Sequence, residues 1–118
     1  MSGSVDDNKI KLTRGDTGRF EVEITVDERI YQPTGGDVVR FALKRDKKTG
    51  VRYTEFADEE PLLLIVIPHD TMMLEIKPTD TKDLHFGKYA YDIEITFEDG
   101  TVDTFITDEE FMLTEEVD

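Results

Sequence analysis

The chain has 118 residues, no cysteine and a formal net charge of -14, which arises from 28 acidic and 14 basic side chains. This length fits one domain over residues 1–118 and can bury a core large enough to fold without disulfide bonds. The absence of cysteine excludes a disulfide framework, a thiolate nucleophile and a cysteine-based zinc site. An acidic surface repels nucleic-acid phosphates and anionic lipids, so we expect no nucleic acid and no membrane among the partners.

The N-terminal residues contain neither a basic segment nor an apolar run, so the sequence predicts no signal peptide and synthesis in the cytoplasm. The longest apolar run, residues 62–67, is far shorter than the ~20 residues that a membrane-spanning helix needs. It has the length of a buried strand, and we interpret it as one. Residues 1–7 and 115–118 are expected to be flexible ends.

Apolar and polar side chains alternate along most of the chain, which is typical of strands that bury one face. Residues 9–13 form the first predicted strand, and a turn at residues 14–18 separates it from a strand over residues 19–27. A second turn at residues 32–36 leads to a strand over residues 39–45. These assignments predict an antiparallel sheet with one buried and one solvated face.

The C-terminal half continues this pattern. Residues 72–77 and 89–98 alternate, and Asp99-Gly100 predicts a two-residue hairpin turn into a strand over residues 101–107. Phe105 and Ile106 are adjacent, which predicts a bulge or burial on both faces of that strand. The inward positions of the clearest strand are Tyr89, Tyr91, Ile93, Ile95 and Phe97. A last short strand contains Phe111 and Leu113.

One segment is predicted to be helical. Residues 78–87 begin with proline and end with glycine, which favours one or two helical turns. Residues 46–61 are the least regular and most charged, and predict a long hairpin or loop with a short strand around residues 51–56. About seven or eight short strands and one short helical turn indicate an all-β fold, either an antiparallel sandwich or a partly closed barrel.

The sequence predicts no enzyme, no catalytic, cofactor-binding or metal-binding residues, and no cofactor. His69 and His85 lie in predicted turns, whereas a zinc or nucleophilic site needs several converging groups. No phosphate-binding glycine loop, dinucleotide fingerprint or serine elbow is present. Acidic side chains cluster at residues 58–60, 98–99, 108–110 and 115–116, without the spacing of a calcium loop, and are interpreted as solvated.

Two short motifs are interpreted structurally. Arg14-Gly15-Asp16 matches the tripeptide that integrins bind, but its place between two strands favours a turn. The loop at residues 44–48, which carries four basic side chains, is interpreted as an exposed hairpin end that lysine protects from edge pairing. Aromatic platforms for a carbohydrate are limited to Tyr31 and Tyr53, which makes a sugar-binding domain or enzyme the weakest hypothesis.

Four segments suggest a family when they are taken in order: KLTRGDTGRFEVEI, VVRFALKRD, MLEIKPTDTKDLHFGKYAYDIEITFEDGTVDTF and EEFMLTEEV. They resemble the small immunoglobulin-like β-domains of phages and prophages of Gram-positive bacteria, including the N-terminal domain of the phage upper baseplate protein. The resemblance implies an immunoglobulin-like sandwich and a non-enzymatic structural or assembly role in a tail or baseplate. It also implies tail or baseplate subunits as protein partners, a homo-oligomer as a further option, and association with the virion after synthesis in the bacterial cytoplasm.

An alternative hypothesis is an acidic inhibitor or nucleic-acid mimic that binds a basic protein. It rests on the net charge of -14 and on the acidic side chains of two predicted strands, Glu21 and Glu23 on one and Asp92 and Glu94 on the other. Binding of this kind weakens as salt screens the ion pairs.

Overall fold

The structure, a computed structural model, describes residues 3–6, 8–45 and 62–115. Within these residues the chain forms ten strands and one short helix, and the fold is all-β and sandwich-like. In chain order the elements are β1 (Gly3–Asp6), β2 (Lys9–Thr13), β3 (Gly18–Glu21), β4 (Ile24–Val26), β5 (Arg29–Tyr31), β6 (Val38–Arg45), β7 (Leu63–Ile67), β8 (Met73–Ile76), α1 (Pro78–Thr81), β9 (Gly87–Thr96) and β10 (Val102–Thr114).

Six strands form the larger sheet, in the order β1-β2-β10-β9-β6-β7. Neighbours in this sheet are antiparallel except β2 and β10, which run parallel with Ile10 opposite Phe111. The sheet is therefore mixed at this one pair, and the all-β, sandwich-like fold that the sequence predicts is confirmed. Side-chain alternation has the same period in both kinds of sheet, so it does not reveal the direction of a neighbouring strand.

The smaller sheets contain the strand predicted at residues 19–27, which the structure divides between β3 and β4. β3 pairs with β8, and β4 pairs with β5 in a hairpin that the sequence does not predict. Asp27 and Glu28 form its two-residue turn with φ values of 50° and 65°. Positive φ is uncommon outside glycine, so this turn has no clear sequence signal.

The hairpin between β9 and β10 lies where the sequence predicts it, but its loop is longer. The Phe97 amide donates to the Thr101 carbonyl at 2.7 Å, and the Gly100 amide donates to the Phe97 carbonyl at 2.8 Å. Only Gly100 of the turn has positive φ, at 92°. A three-residue loop that ends in a left-handed glycine is a common alternative to the two-residue turn.

β10 is one strand of 13 residues rather than the two strands that the sequence predicts. Its pairing with β9 shifts register between Thr104 and Ile106 and again between Ile106 and Glu109. The bulge predicted from the adjacent Phe105 and Ile106 is thereby confirmed. Both side chains are partly buried, because the shifts let neighbouring residues turn toward the interior.

The core lies between the larger sheet and the β3–β8 sheet. The predicted inward residues of β9 are confirmed, with Tyr91, Ile93 and Ile95 exposed by 2% or less. On β6 and β10, Phe41 and Phe111 are fully buried, and the ring centroid of Phe41 lies 5.3 Å from that of Tyr91 and 6.1 Å from that of Phe111. This aromatic cluster occupies the centre of the fold.

The remaining predictions concern α1 and the ends of the chain. α1 confirms the predicted helical turn, with proline in its first turn. Residues 3–6 were expected in a flexible end, whereas the structure places them in β1, antiparallel to β2. The predicted loop at residues 46–61, with its strand around residues 51–56, lies outside the described residues, as do residues 116–118.

Replacing Phe41 by alanine is expected to lower the free energy of unfolding by about 3–5 kcal/mol, because the ring is fully buried among other rings. The control, Ile30→Ala, removes a side chain that is 71% exposed and is expected to change that free energy by less than about 0.5 kcal/mol. Urea unfolding followed by circular dichroism measures both. Equal losses in the two variants would contradict this assignment of the core.

Candidate functional site

The two histidines lie in connecting segments, and both are exposed. The His69 carbonyl accepts a hydrogen bond from Gln32 Nε2 at 2.8 Å, and the His85 carbonyl accepts one from the Tyr89 hydroxyl at 2.7 Å. Both hydrogen bonds are accepted by backbone carbonyls, so they hold the loops in place and do not involve the imidazole rings. Across residues 3–6, 8–45 and 62–115, no group of three or more acidic or histidine side chains is placed to hold a metal ion.

The tripeptide Arg14-Gly15-Asp16 forms the turn between β2 and β3, which confirms the prediction. The Asp16 amide donates to a carbonyl of β2 at 3.1 Å, and Gly15 has a φ of 82°. The Arg14 guanidinium carbon lies 4.1 Å from the centroid of the Phe86 ring, and its Nη1 donates to the Leu84 carbonyl at 3.3 Å. The arginine therefore attaches this turn to the loop before β9.

Asp37 is a buried carboxylate that joins three segments. Its Oδ2 accepts hydrogen bonds from the Tyr31 hydroxyl at 2.6 Å and the Thr34 amide at 2.9 Å, and its Oδ1 accepts one from the Glu98 amide at 3.0 Å. The Tyr31 hydroxyl is the main cause that lowers the pKa of Asp37, and the same hydrogen bond raises the pKa of Tyr31. A shifted carboxylate is a candidate for catalysis, but both oxygens of Asp37 are occupied in holding the fold.

Tyr31, one of the two candidate aromatic platforms, does not form an exposed sugar-binding surface. Tyr31 is partly buried, and its ring packs edge-on against Phe97 with centroids 5.6 Å apart. Its hydroxyl donates to Asp37. Tyr53 lies outside the described residues.

Lys44 was predicted in an exposed hairpin end, and this prediction was wrong. It lies on β6, and its side chain is only 15% exposed. Its Nζ lies 2.9 Å from Asp92 Oδ2 and 2.5 Å from Asp108 Oδ1. Burial acts to lower the pKa of Lys44, but the hydrogen bonds to Asp108 and Asp92 outweigh it and raise that pKa. Of its predicted basic neighbours, Arg45 ends β6 and residues 46–48 lie outside the described residues.

The predicted acidic clusters are dispersed by the strands. Asp99 caps its own turn by accepting from the Thr101 amide at 2.9 Å, and Glu110 lies 3.5 Å from Lys88 Nζ. Glu115 is exposed after β10, and residues 58–60 and 116 lie outside the described residues. The clusters therefore do not act as compact groups where the structure describes them.

One side of the sandwich opens into a cleft of about 410 Å³. The cleft lies where β3 and the segment that follows it face β9 and the bulged part of β10. Glu21 and Glu23 are exposed beside it. Its apolar lining is formed by Ile10, Phe20, Val22, Leu74, Ile93, Phe105 and Ile106. The sequence does not predict this cleft, although the broken alternation at β10 is its one local signal.

The second candidate surface is β7, the last strand of the larger sheet. We call the outward side chains Leu64 and Val66, together with the side of β7 that has no partner among the described strands, the β7 edge. In the described part of the chain β7 pairs only with β6. Leu64 is 55% exposed and Val66 is 60% exposed, so the prediction that residues 62–67 form a buried strand was wrong for its outer face. The available signal was a continuous apolar run in a chain whose other strands alternate.

The β7 edge lacks the features that prevent edge strands from pairing. Charged residues, prolines and bulges commonly blunt such edges. The strand Leu63–Ile67 contains no charged residue and no proline, and its pairing with β6 shows no register shift. By contrast, residues 102–110 of β10 lack a neighbour on the β2 side among the described strands, but they contain both register shifts and acidic side chains.

Comparison of the chain with protein-family models, with curated proteins and with solved structures gave no match. No helix in the described residues is both long and apolar enough to cross a membrane. The candidate surfaces therefore rest on the geometry alone.

Replacing Asp37 by asparagine is expected to lower the urea midpoint at neutral pH and to weaken its dependence on acid. Because the folded-state pKa of Asp37 is below 3.8, its stabilisation is present above that pH and is lost as the pH falls through the folded-state value. Urea unfolding between about pH 7 and about pH 3 measures this loss. The exposed Asp103→Asn is the matched control, and an equal effect from it would contradict the role of Asp37.

Proposed function

We propose that the protein is a non-enzymatic assembly module that acts by protein–protein contact, with the β7 edge as its contact surface. The observation that carries the proposal is an edge strand with apolar side chains on both faces and no charged residue. The resemblance of the sequence to small phage and prophage β-domains suggests where the module acts. This setting is the tail or baseplate of a phage or prophage of a Gram-positive bacterium. In that setting the partners are tail or baseplate subunits, and a second copy of the chain can be one of them.

Strand addition supplies the energy for such a contact. An added strand satisfies the free backbone groups of an edge, and side chains on alternate positions give specificity. Complete burial of a valine or leucine side chain stabilises by about 1.5–3 kcal/mol relative to full exposure. Since Leu64 and Val66 are 55% and 60% exposed, covering them contributes on the order of 1 kcal/mol each.

The proposal is tested by capture of partners on the tagged protein from lysate of the induced host, at low and at high salt. We expect tail or baseplate proteins, identified by mass, to be retained at high salt, because apolar contacts do not depend on charge. Val66→Lys should abolish their retention, since the lysine would be buried in the contact. Val102→Lys is the matched control, because Val102 is 55% exposed on a different strand.

Two results would contradict the assembly module. Retention that is equal for Val66→Lys and the wild type would exclude the β7 edge as the contact surface. Capture of only basic proteins that salt releases would point to a different function.

A second candidate function, an acidic inhibitor or nucleic-acid mimic of a basic protein, is favoured by the cleft. Its apolar lining beside Glu21 and Glu23 fits a protein segment that presents an apolar side chain next to lysine or arginine. The other two acids of this hypothesis, Asp92 and Glu94, lie on the outer face of the larger sheet and form ion pairs with basic side chains of β6. Mimicry would therefore rest on Glu21 and Glu23.

The inhibitor hypothesis predicts that the double variant Glu21→Gln/Glu23→Gln loses a salt-sensitive basic partner. The loss should reach about tenfold in the dissociation constant, because two charge-assisted contacts are removed. Glu28→Gln/Asp103→Asn removes the same charge at two exposed positions elsewhere and is the control. Isothermal titration calorimetry against the captured protein measures the constants, and equal weakening by both double variants would favour a nonspecific effect of net charge.

A further inference from the structure

We propose that the first partner of the β7 edge is a second copy of the chain, whose β7 pairs antiparallel with this one across a two-fold axis. The two six-stranded sheets would then form one continuous sheet. This inference rests on the proposed function, because it uses the same edge, and it names the partner that the edge binds.

The pattern of β7 is complementary to itself. Leu63, Ile65 and Ile67 lie on the inner face, since they pair with the inward residues of β6, and Leu64 and Val66 lie on the outer face. The pattern is symmetric about Ile65. An antiparallel copy centred there places inner side chains beside inner ones, and Leu64 beside Val66 of the other copy. Each cross-strand pair is then apolar, which stabilises a sheet.

Charge also favours a second copy at this edge over other places on the surface. Two chains of net charge -14 repel each other, and this repulsion is least costly where the contact itself contains no charge. β7 has no charged residue. Among the described residues, the cation that faces β7 on this side is Arg40, opposite Val66, and its Nη1 already bonds Thr96 Oγ1 at 3.1 Å and lies 3.7 Å from Glu94 Oε1. Covering Leu64 and Val66 therefore leaves this cation paired.

The larger sheet also ends at β1, and among the described strands residues 102–110 of β10 have a free side as well. This part of β10 is less suited to self-association than β7. Residues 102–110 of β10 contain Asp103 and Asp108, so a second copy would bring like charges together along the seam. The register shifts in the same segment interrupt the regular spacing of backbone groups that strand addition needs. A second copy therefore fits β7 and not this part of β10.

Sedimentation equilibrium of the full chain is the first test. We expect a monomer–dimer equilibrium whose dissociation constant decreases as sodium chloride is raised, because salt screens the repulsion between two acidic chains. Val66→Lys should raise the constant at least about tenfold, while Val102→Lys, which adds the same charge on an exposed strand residue, should not. Circular dichroism confirms that both variants remain folded.

Cross-linking then tests the register. The chain has no cysteine, so single cysteines can be introduced without a competing thiol. Oxidation of a mixture of L64C and V66C should give a covalent dimer, since facing residues of antiparallel strands have Cα atoms about 4.5–5.5 Å apart, which suits a disulfide. Neither variant should cross-link alone, because equivalent residues are then offset along the strands.

The outcomes separate this inference from the proposed function. A monomer at all concentrations, together with β7-dependent capture of tail or baseplate subunits, would overturn the second copy and leave the assembly module standing. Efficient cross-linking of L64C alone would overturn the antiparallel register. A dimer whose constant rises with salt, or that V102K weakens as much as V66K, would also contradict the inference.

Discussion

The fold depends on the need to cover one apolar face of β9. This strand pairs with β6 on one side and β10 on the other, and its inward side chains are almost completely excluded from solvent. The rings of Phe41, Tyr91 and Phe111 bring all three strands into a single aromatic cluster. Since a one-residue slip would reverse the faces of a strand, this cluster also determines the register of the central sheet.

The two layers that enclose this core are unequal. The larger sheet has six strands, whereas the sheet that faces it has only β3 and β8. The burial of β7 reflects this difference, because Ile67 is 1% exposed while Leu63 and Ile65, further along the same inner face, are only partly buried. The cleft beside Glu21 and Glu23 has the same origin on the other side of the sandwich. Both candidate surfaces thus lie where the smaller layer ends.

Local alternation predicted the parts of the fold that depend on it. The inward faces of β6, β8 and β9, the turn at Arg14-Gly15-Asp16, the helical turn and the bulge near Phe105 are all visible in the sequence, because each depends on neighbouring residues. The parallel pairing of β2 with β10 joins distant segments and leaves no local pattern. The β4–β5 turn uses positive φ at Asp27 and Glu28, which composition does not predict.

The candidate site was harder to predict for a related reason. An apolar run such as residues 62–67 has the same appearance whether both faces of its strand are covered or only one. Burial was therefore predicted for Leu64 and Val66, which lie on the uncovered outer face of the larger sheet. The prediction for Lys44 was wrong in the opposite sense, because an exposed position was predicted and the side chain is only 15% exposed. Its sequence neighbours are basic, but Asp92 and Asp108, which hold it, approach only after β9 and β10 have paired with β6. The exposure of Leu64 and Val66 and the ion pairs of Lys44 both depend on which distant segments become neighbours in the fold.

Electrostatics and edge geometry together explain why β7 differs from the rest of the surface. On β6, β9 and β10 the outer face is covered by cross-strand ion pairs, which include Arg40 with Glu94 and Lys88 with Glu110. These pairs hold charged groups in water, and among the described residues of these three strands Val102, at the start of β10, is the one large apolar side chain that is exposed. At Leu64 and Val66 the same face has no such pairs, and more than half of each side chain is exposed. Because folding of one chain gains little from these exposed groups, their burial energy is released chiefly when another molecule covers them.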